Sequence, residues 1–295
     1  MNLSKCSVFL VGVVYTMVCL SAEAQLVFNA DKVQFNAQDS SYYLKFSARI
    51  QPLFRLMISP EEVSEEALIR RMRFKSDGLW KSKLGYNLQV GFAPSDFRRI
   101  HIPNQKDPIG LLYDAQIHWR PNKYWKVSVG QGKLPGGRER LMSSQNMQFV
   151  DRSLVDQSFT LNRGIGIQMR HEAYWGRTLL RQFGSIALGE GGNVLRMNPQ
   201  SGLQYTCRTE MLPFGGFDQY STSDLKRNDS PKFALGLVFD LNIHALRAAG
   251  VEGDFVVADS TQEVGTLRTV IFDAIYKFQG WSSTVELVRR DTPQN

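Results

Sequence analysis

Beyond residue 24 no stretch approaches the ~18 consecutive apolar residues of a membrane-spanning helix, which excludes a helical membrane protein. Cysteine is almost missing as well: the 295 residues hold three, Cys6, Cys19 and Cys207. The first two fall in the leader described below, so a disulfide framework and a Cys-based metal site are both excluded. The four histidines, His101, His118, His171 and His244, show no metal-ligand spacing and no H-E-x-x-H. Gly130-Gln131-Gly132-Lys133 lacks the G-x-x-x-x-G-K-[ST] pattern of a phosphate loop. No enzyme, cofactor or metal is expected. Carboxylates are the scarcer charge, 28 Asp and Glu against 35 Lys and Arg, giving a formal net charge of +7. A basic chain suits nucleic acid, an anionic surface or small anions.

The N-terminus decides among these. Lys5 is the only charge before an uncharged run from Val8 to Leu20, and Ala22-Glu23-Ala24 follows. A positive start, a short apolar core and an A-x-A site make a secretory signal peptide over 1–24, cleaved near Ala24-Gln25. Export argues against nucleic acid as a partner.

What the chain has in abundance is alternation. Leu44, Phe46, Ala48 and Ile50 interleave with Lys45, Ser47, Arg49 and Gln51, and Pro52 reads as the frayed end of that strand. Met72 and Phe74 interleave with Arg71, Arg73 and Lys75. Leu84, Tyr86, Leu88 and Val90 oppose Gly85, Asn87 and Gln89; Leu111, Tyr113, Ala115, Ile117 and Trp119 oppose Asp114, Gln116 and His118. The same period of two recurs near 125–130, 165–170, 204–211, 233–240, 270–278 and 281–290, and a segment at 178–188 is ambiguous in phase. About eleven strands result. Residues 213–230 break the pattern, being long where a short turn is due, and 241–265 resist assignment.

Short turns and long loops mostly alternate, and Trp80, Trp119, Trp125, Trp175 and Trp281 all flank the short turns. A soluble sandwich or lipocalin-like barrel would bury the apolar face, but nothing in a dry core confines Trp to one end. An aromatic belt at a membrane interface does. The fold expected is therefore an all-β, antiparallel transmembrane β-barrel, with 25–41 an N-terminal periplasmic segment and 42–295 the barrel. Such barrels have even strand numbers, so eleven suggests a chain truncated at its C-terminus or a missed strand.

Lys45, Arg49, Arg71, Arg73, Lys75, Arg170 and Arg208 fall on the inferred inner faces and make candidate lumen cations. Rings of Arg and Lys favour anions. Asp114, Glu172, Glu210, Asp240, Asp273 and Glu286 share those faces. They leave open a transverse field with little selectivity.

Several stretches resemble the phosphate-selective porin O and P family. They are Arg70-Arg71-Met72-Arg73-Phe74, Gly130 to Arg140, Ser143-Ser144, Phe149-Val150-Asp151-Arg152-Ser153 and Arg163-Gly164-Ile165-Gly166. The resemblance implies an outer-membrane porin of a Gram-negative bacterium, sixteen-stranded and homotrimeric, passing small anions through the lipid bilayer. It further implies that the loop after the fifth strand, here 133–160, folds inward as a constriction carrying Lys133, Arg138, Arg140 and Arg152, with Arg163 at its exit. The family often has Arg-Asp where this chain has Arg163-Gly164, and an aromatic C-terminus where this one ends Pro293-Gln294-Asn295. A non-selective general porin, or a barrel in a docking or secretion assembly, is the alternative.

Overall fold

The computed structural model describes residues 24–29, 32–37, 42–59, 62–97, 111–193, 202–245 and 265–291. The leader expected over 1–24, save Ala24, and most of 241–265 lie outside them. Thirteen antiparallel strands form one sheet in strict sequence order. They are β1 (Ala24–Asn29), β2 (Lys32–Ala37), β3 (Tyr42–Ile58), β4 (Val63–Trp80), β5 (Leu84–Gly91), β6 (Leu112–Trp119) and β7 (Trp125–Lys133). There follow β8 (Arg163–Trp175), β9 (Thr178–Ala187), β10 (Gln204–Leu212), β11 (Lys232–Asn242), β12 (Leu267–Phe278) and β13 (Trp281–Asp291). Helix is confined to α1 (Arg138–Leu141), α2 (Leu154–Phe159) and a 3-10 turn, Pro94–Phe97. Among the described residues no helix is long and apolar enough to cross a membrane.

All eleven segments read from periodicity are strands, β3 to β13. Two more were missed. The stretch expected to lie ahead of the barrel, 25–41, instead supplies the β1–β2 hairpin, and β2 pairs with β3 from Val33↔Phe46 to Asn36↔Tyr43. Among the described residues β1 and β13 are the two edges of the sheet.

The sheet is curled, and its own contacts prove it. β3 and β13 stand ten strand spacings apart, roughly 48 Å across a flat sheet at about 4.8 Å each. Yet Ser144 accepts from Arg49 of β3 at 3.0 Å, while the backbone N–H of Glu139 donates to Glu286 of β13 at 3.2 Å. Five residues of chain reach at most about 18 Å, and the side chains add only a few ångströms. The sheet therefore bends round the 134–162 loop, which occupies its concave side.

The convex side carries the apolar half of each alternation. Ile117 and Leu287 are each 63% exposed there, and Phe54, Val129, Ile167 and Phe239 are exposed with them. A soluble barrel would have these side chains at its dry centre. Facing outward on strands of 9 to 12 residues (β10 to β13), they match the length and polarity a bilayer requires. Trp80, Trp119, Trp175 and Trp281 are exposed at strand ends, and Trp125 stacks on His171 with ring centroids 4.3 Å apart. All five border the short connections.

Two register shifts correct the simple alternation. Gln51 pairs with Arg71 but Pro52 with Ile69, so Arg70 is an extra residue on β4. Proline has no N–H for the ladder, and a bulge is where a sheet tolerates it. β3 thus does not fray at Pro52; it runs on to Ile58. Likewise Gln89 pairs with Asp114 but Val90 with Leu112, which makes Tyr113 the extra residue. Tyr113, placed by periodicity on the outer face, turns inward.

Candidate functional site

The loop from Leu134 to Asn162 leaves β7, crosses the concavity and returns to β8. Its ends are seated on the inner faces of β9 to β13. Leu134 and Leu161 pack with Ala187, Val238, Ile271 and Val288; Met142 packs with Leu179, Leu212, Ala234, Ile275, Phe217 and Tyr220. Burying each such side chain contributes roughly 1.5–3 kcal/mol. The inner wall over these strands is therefore partly apolar and dry, not uniformly wet.

Between the two clusters lies a buried charge group. Arg138 Nε donates to Asp273 Oδ1 at 2.7 Å. Arg208 donates to Asp273 at 2.6 and 3.0 Å, to Glu210 at 2.9 Å and to the Gly136 carbonyl at 2.8 Å. The side chains of both arginines and both acids are fully buried. Gly236 makes room for them: a Cβ there would lie 2.5 Å from both Arg208 Nη2 and Asp273 Oδ1. Arg208, expected on the solute path, thus holds the loop to the wall, and so does Arg138.

The other loop cations are similarly engaged. Lys133 donates to the carbonyls of Arg140, Leu141 and Met142 at 2.8 to 3.0 Å, closing the C-terminal end of α1. Arg140 pairs with Asp156 at 2.9 Å, and Arg152 donates to the carbonyls of Met142 and Glu139. Glu139 accepts from Ser153 Oγ and N, joining the two limbs, and Ser153 caps α2. Burial pushes the Asp156 carboxyl up from its ordinary range, against the pull of Arg140 and Arg152. Arg163 pairs with Asp114 at 2.8 Å.

The connection after β10, long where a short turn was due, also folds inward. Tyr220 Oη donates to Glu210 at 2.8 Å, Lys277 donates to the Asp218 carbonyl at 2.7 Å, and the Thr222 N–H reaches the Asn146 carbonyl at 2.9 Å. Burial raises the Tyr220 hydroxyl well above its ordinary value. Two loops, one from each end of the sheet, therefore meet inside it.

The opposite wall is different. On β3 and β4, Arg71 lies within electrostatic range of Arg49, Arg70, Arg73 and Arg152. The bulge accounts for Arg70, which pairs with Asp151 beside Arg71 where strict alternation would send it outward. Arg73 pairs with Asp96 of the 3-10 turn and donates to Tyr113 Oη at 2.5 Å. Among the described residues Arg49 and Arg71 meet uncharged oxygens, of Ser144, Gln145 and Gln51. Lys75 pairs with Asp77 at 3.0 Å, and Arg170, half exposed, is 3.8 Å from Glu172. Lys45 has no carboxylate partner among the described residues. A cavity of about 230 Å³ opens between β6 to β9 and the loop, lined by Lys126, Lys133, Arg170, Gln116, Gln168 and Ser128. Arg70, Lys126 and Tyr113 were missing from the lumen set read by periodicity; the two bulges explain the first and third.

A curled antiparallel sheet, apolar outside and charged within, narrowed by a loop folded into its interior, defines a porin of the outer-membrane β-barrel type. The family model described as phosphate-selective porin O and P matches residues 59–228, from the start of β4 through both inward loops. The chain belongs to that family. No curated protein matches the chain.

Proposed function

We propose that the protein passes small anions by diffusion, selecting them at the Arg49–Arg71 wall where the constriction loop approaches it. One observation carries this: the inner charges are segregated. Asp273, Glu210 and Glu286, on β10 to β13, are covered by the loop and engaged by Arg138, Arg208 and the Glu139 N–H. Arg49 and Arg71, on β3 and β4, keep their charge facing neutral oxygens. A transverse field needs acid and base exposed on opposing walls; here Asp273 and Glu210 are paired with arginines and buried beneath the loop. Guanidinium forks suit oxyanions such as phosphate, and several modest contacts release an ion more readily than one tight cage. Membership of the family and the leader read from residues 1–24 both support an outer-membrane location.

The test is the zero-current potential of single channels in a planar bilayer under a salt gradient. Wild type is expected to favour anions. Arg49→Glu and Arg71→Glu together are expected to lower the anion-to-cation permeability ratio about fivefold or more, since a unit charge a few ångströms from an ion is worth ~1 kcal/mol in water. A wild-type potential of zero supports a general porin instead, and absence of conductance supports a docking barrel. An unchanged potential in the double variant removes Arg49 and Arg71 from the path.

A further inference from the structure

The outer face is not evenly convex. Across β7 to β13, next to the long-loop ends, it is hollowed into a depression of about 810 Å³. Volumes of this size are typical of sites that hold a small molecule. Its sides are outward-facing Ile167, Met169, Ile186, Phe239 and Val270. Its floor is Gly184, paired in register with Cys207. A Cβ on Gly184 would meet nothing within 4 Å, so the small residue leaves open space there. The upper rim is polar. Arg268 and Tyr205 stand at the long-loop ends of β12 and β10, and Arg268 pairs in register with Asp291. Asp291 accepts from Arg289 on its own strand at 3.1 Å, and Arg268 stands beside it in register, so among the described residues this edge carries two arginines to one carboxylate.

An apolar trough closed at headgroup depth by an Arg and a Tyr is complementary to an amphiphile with an anionic head. We propose that the depression is a lipid site: one acyl chain lies over Gly184 and Cys207, and a phosphorylated headgroup is held at Arg268. The site lies on the face away from the solute passage, so it stands whether or not that passage prefers anions.

The experiment is native mass spectrometry of the full chain in detergent, given phosphatidylglycerol or diacylglycerol with the same chains. Wild type is expected to retain one phosphatidylglycerol per chain and at least tenfold less diacylglycerol, and excess inorganic phosphate should not displace it. Gly184→Phe and Cys207→Trp fill the trough from its two sides and are expected to lower retention at least tenfold. Arg268→Glu is expected to remove the preference for the phosphorylated lipid. Single-channel conductance, which these outward positions do not touch, reports folding of each variant. Equal lipid retention in all variants would mean only a general lipid coat and overturn the proposal. So would a photo-crosslinker on Cys207 that yields a dimer of the chain rather than a lipid adduct, since a second copy would then cover the trough.

Discussion

Arg138 and Arg208 share Asp273 and Glu210 without exposure to water, so the four charges stand or fall together. Removing one partner strands a buried charge, which costs about 3–5 kcal/mol. Arg138→Ala is accordingly expected to lower the unfolding free energy in detergent micelles by that order. Pairing an Arg138→Met change with Asp273→Leu should recover much of the loss, as measured by denaturant unfolding. Asp156 gives a pH signature. Its carboxyl binds a proton more readily in the folded loop than in the unfolded chain. The group therefore adds stability as pH falls through its raised folded value, and that contribution is lost as pH rises past it. Protonation also releases Arg140 from its ion pair. Anion preference is expected to rise on acidification at a pH above the ordinary aspartate range, and Asp156→Asn should show the higher preference at neutral pH with that step gone. The charges themselves were legible in the sequence; their commitments were not. The family resemblance set Arg138, Arg140, Arg152 and Lys133 in a constriction, and nothing local shows that Arg138 is held by Asp273, 135 residues away, Arg140 by Asp156, and Lys133 and Arg152 by backbone carbonyls of the loop.

At the scale of strands, a period of two found β3 to β13 because every side chain on such a strand must choose between lipid and interior. It failed where the period slips. Arg70 and Tyr113 are each one residue too many for their neighbouring strand, and a bulge leaves no composition signal of its own. Only Pro52, opposite the first bulge, hints at it, and a residue without an N–H reads equally as a strand end. β1 and β2 are six residues each, short enough for their alternation to pass as a tail. Deleting Arg70 tests the bulge directly. The deletion should join Ile69 to Arg71 in continuous register with Pro52 and Gln51 and leave residues 63–69 on the faces they now hold. A cysteine at Ile69 is expected to react with a lipid-phase probe in the parent and in the deletion alike. Labelling from the aqueous interior in the parent that turns to the lipid phase in the deletion would mean that Arg70 takes its turn in the alternation and no bulge divides β4.

The whole molecule rests on one division of surfaces. Strand after strand sends its large apolar residues to the convex side and most of its charges to the concave side, where two inward loops narrow the interior. The family match runs over 59–228, which takes in β4 to β10 and the 134–162 loop of this interior. Curvature could not be read from any one segment; it emerged from contacts such as Arg49 to Ser144 and Glu286 to Glu139, which join strands ten positions apart. The measurement closest to the claim is a nitroxide scan of β5 in lipid vesicles, one spin label at a time from Leu84 to Val90. Collisions with oxygen dissolved in the acyl phase should peak at 84, 86, 88 and 90, and collisions with a water-soluble nickel complex at 85, 87 and 89. Nickel access at every position, or the opposite alternation, would contradict the account.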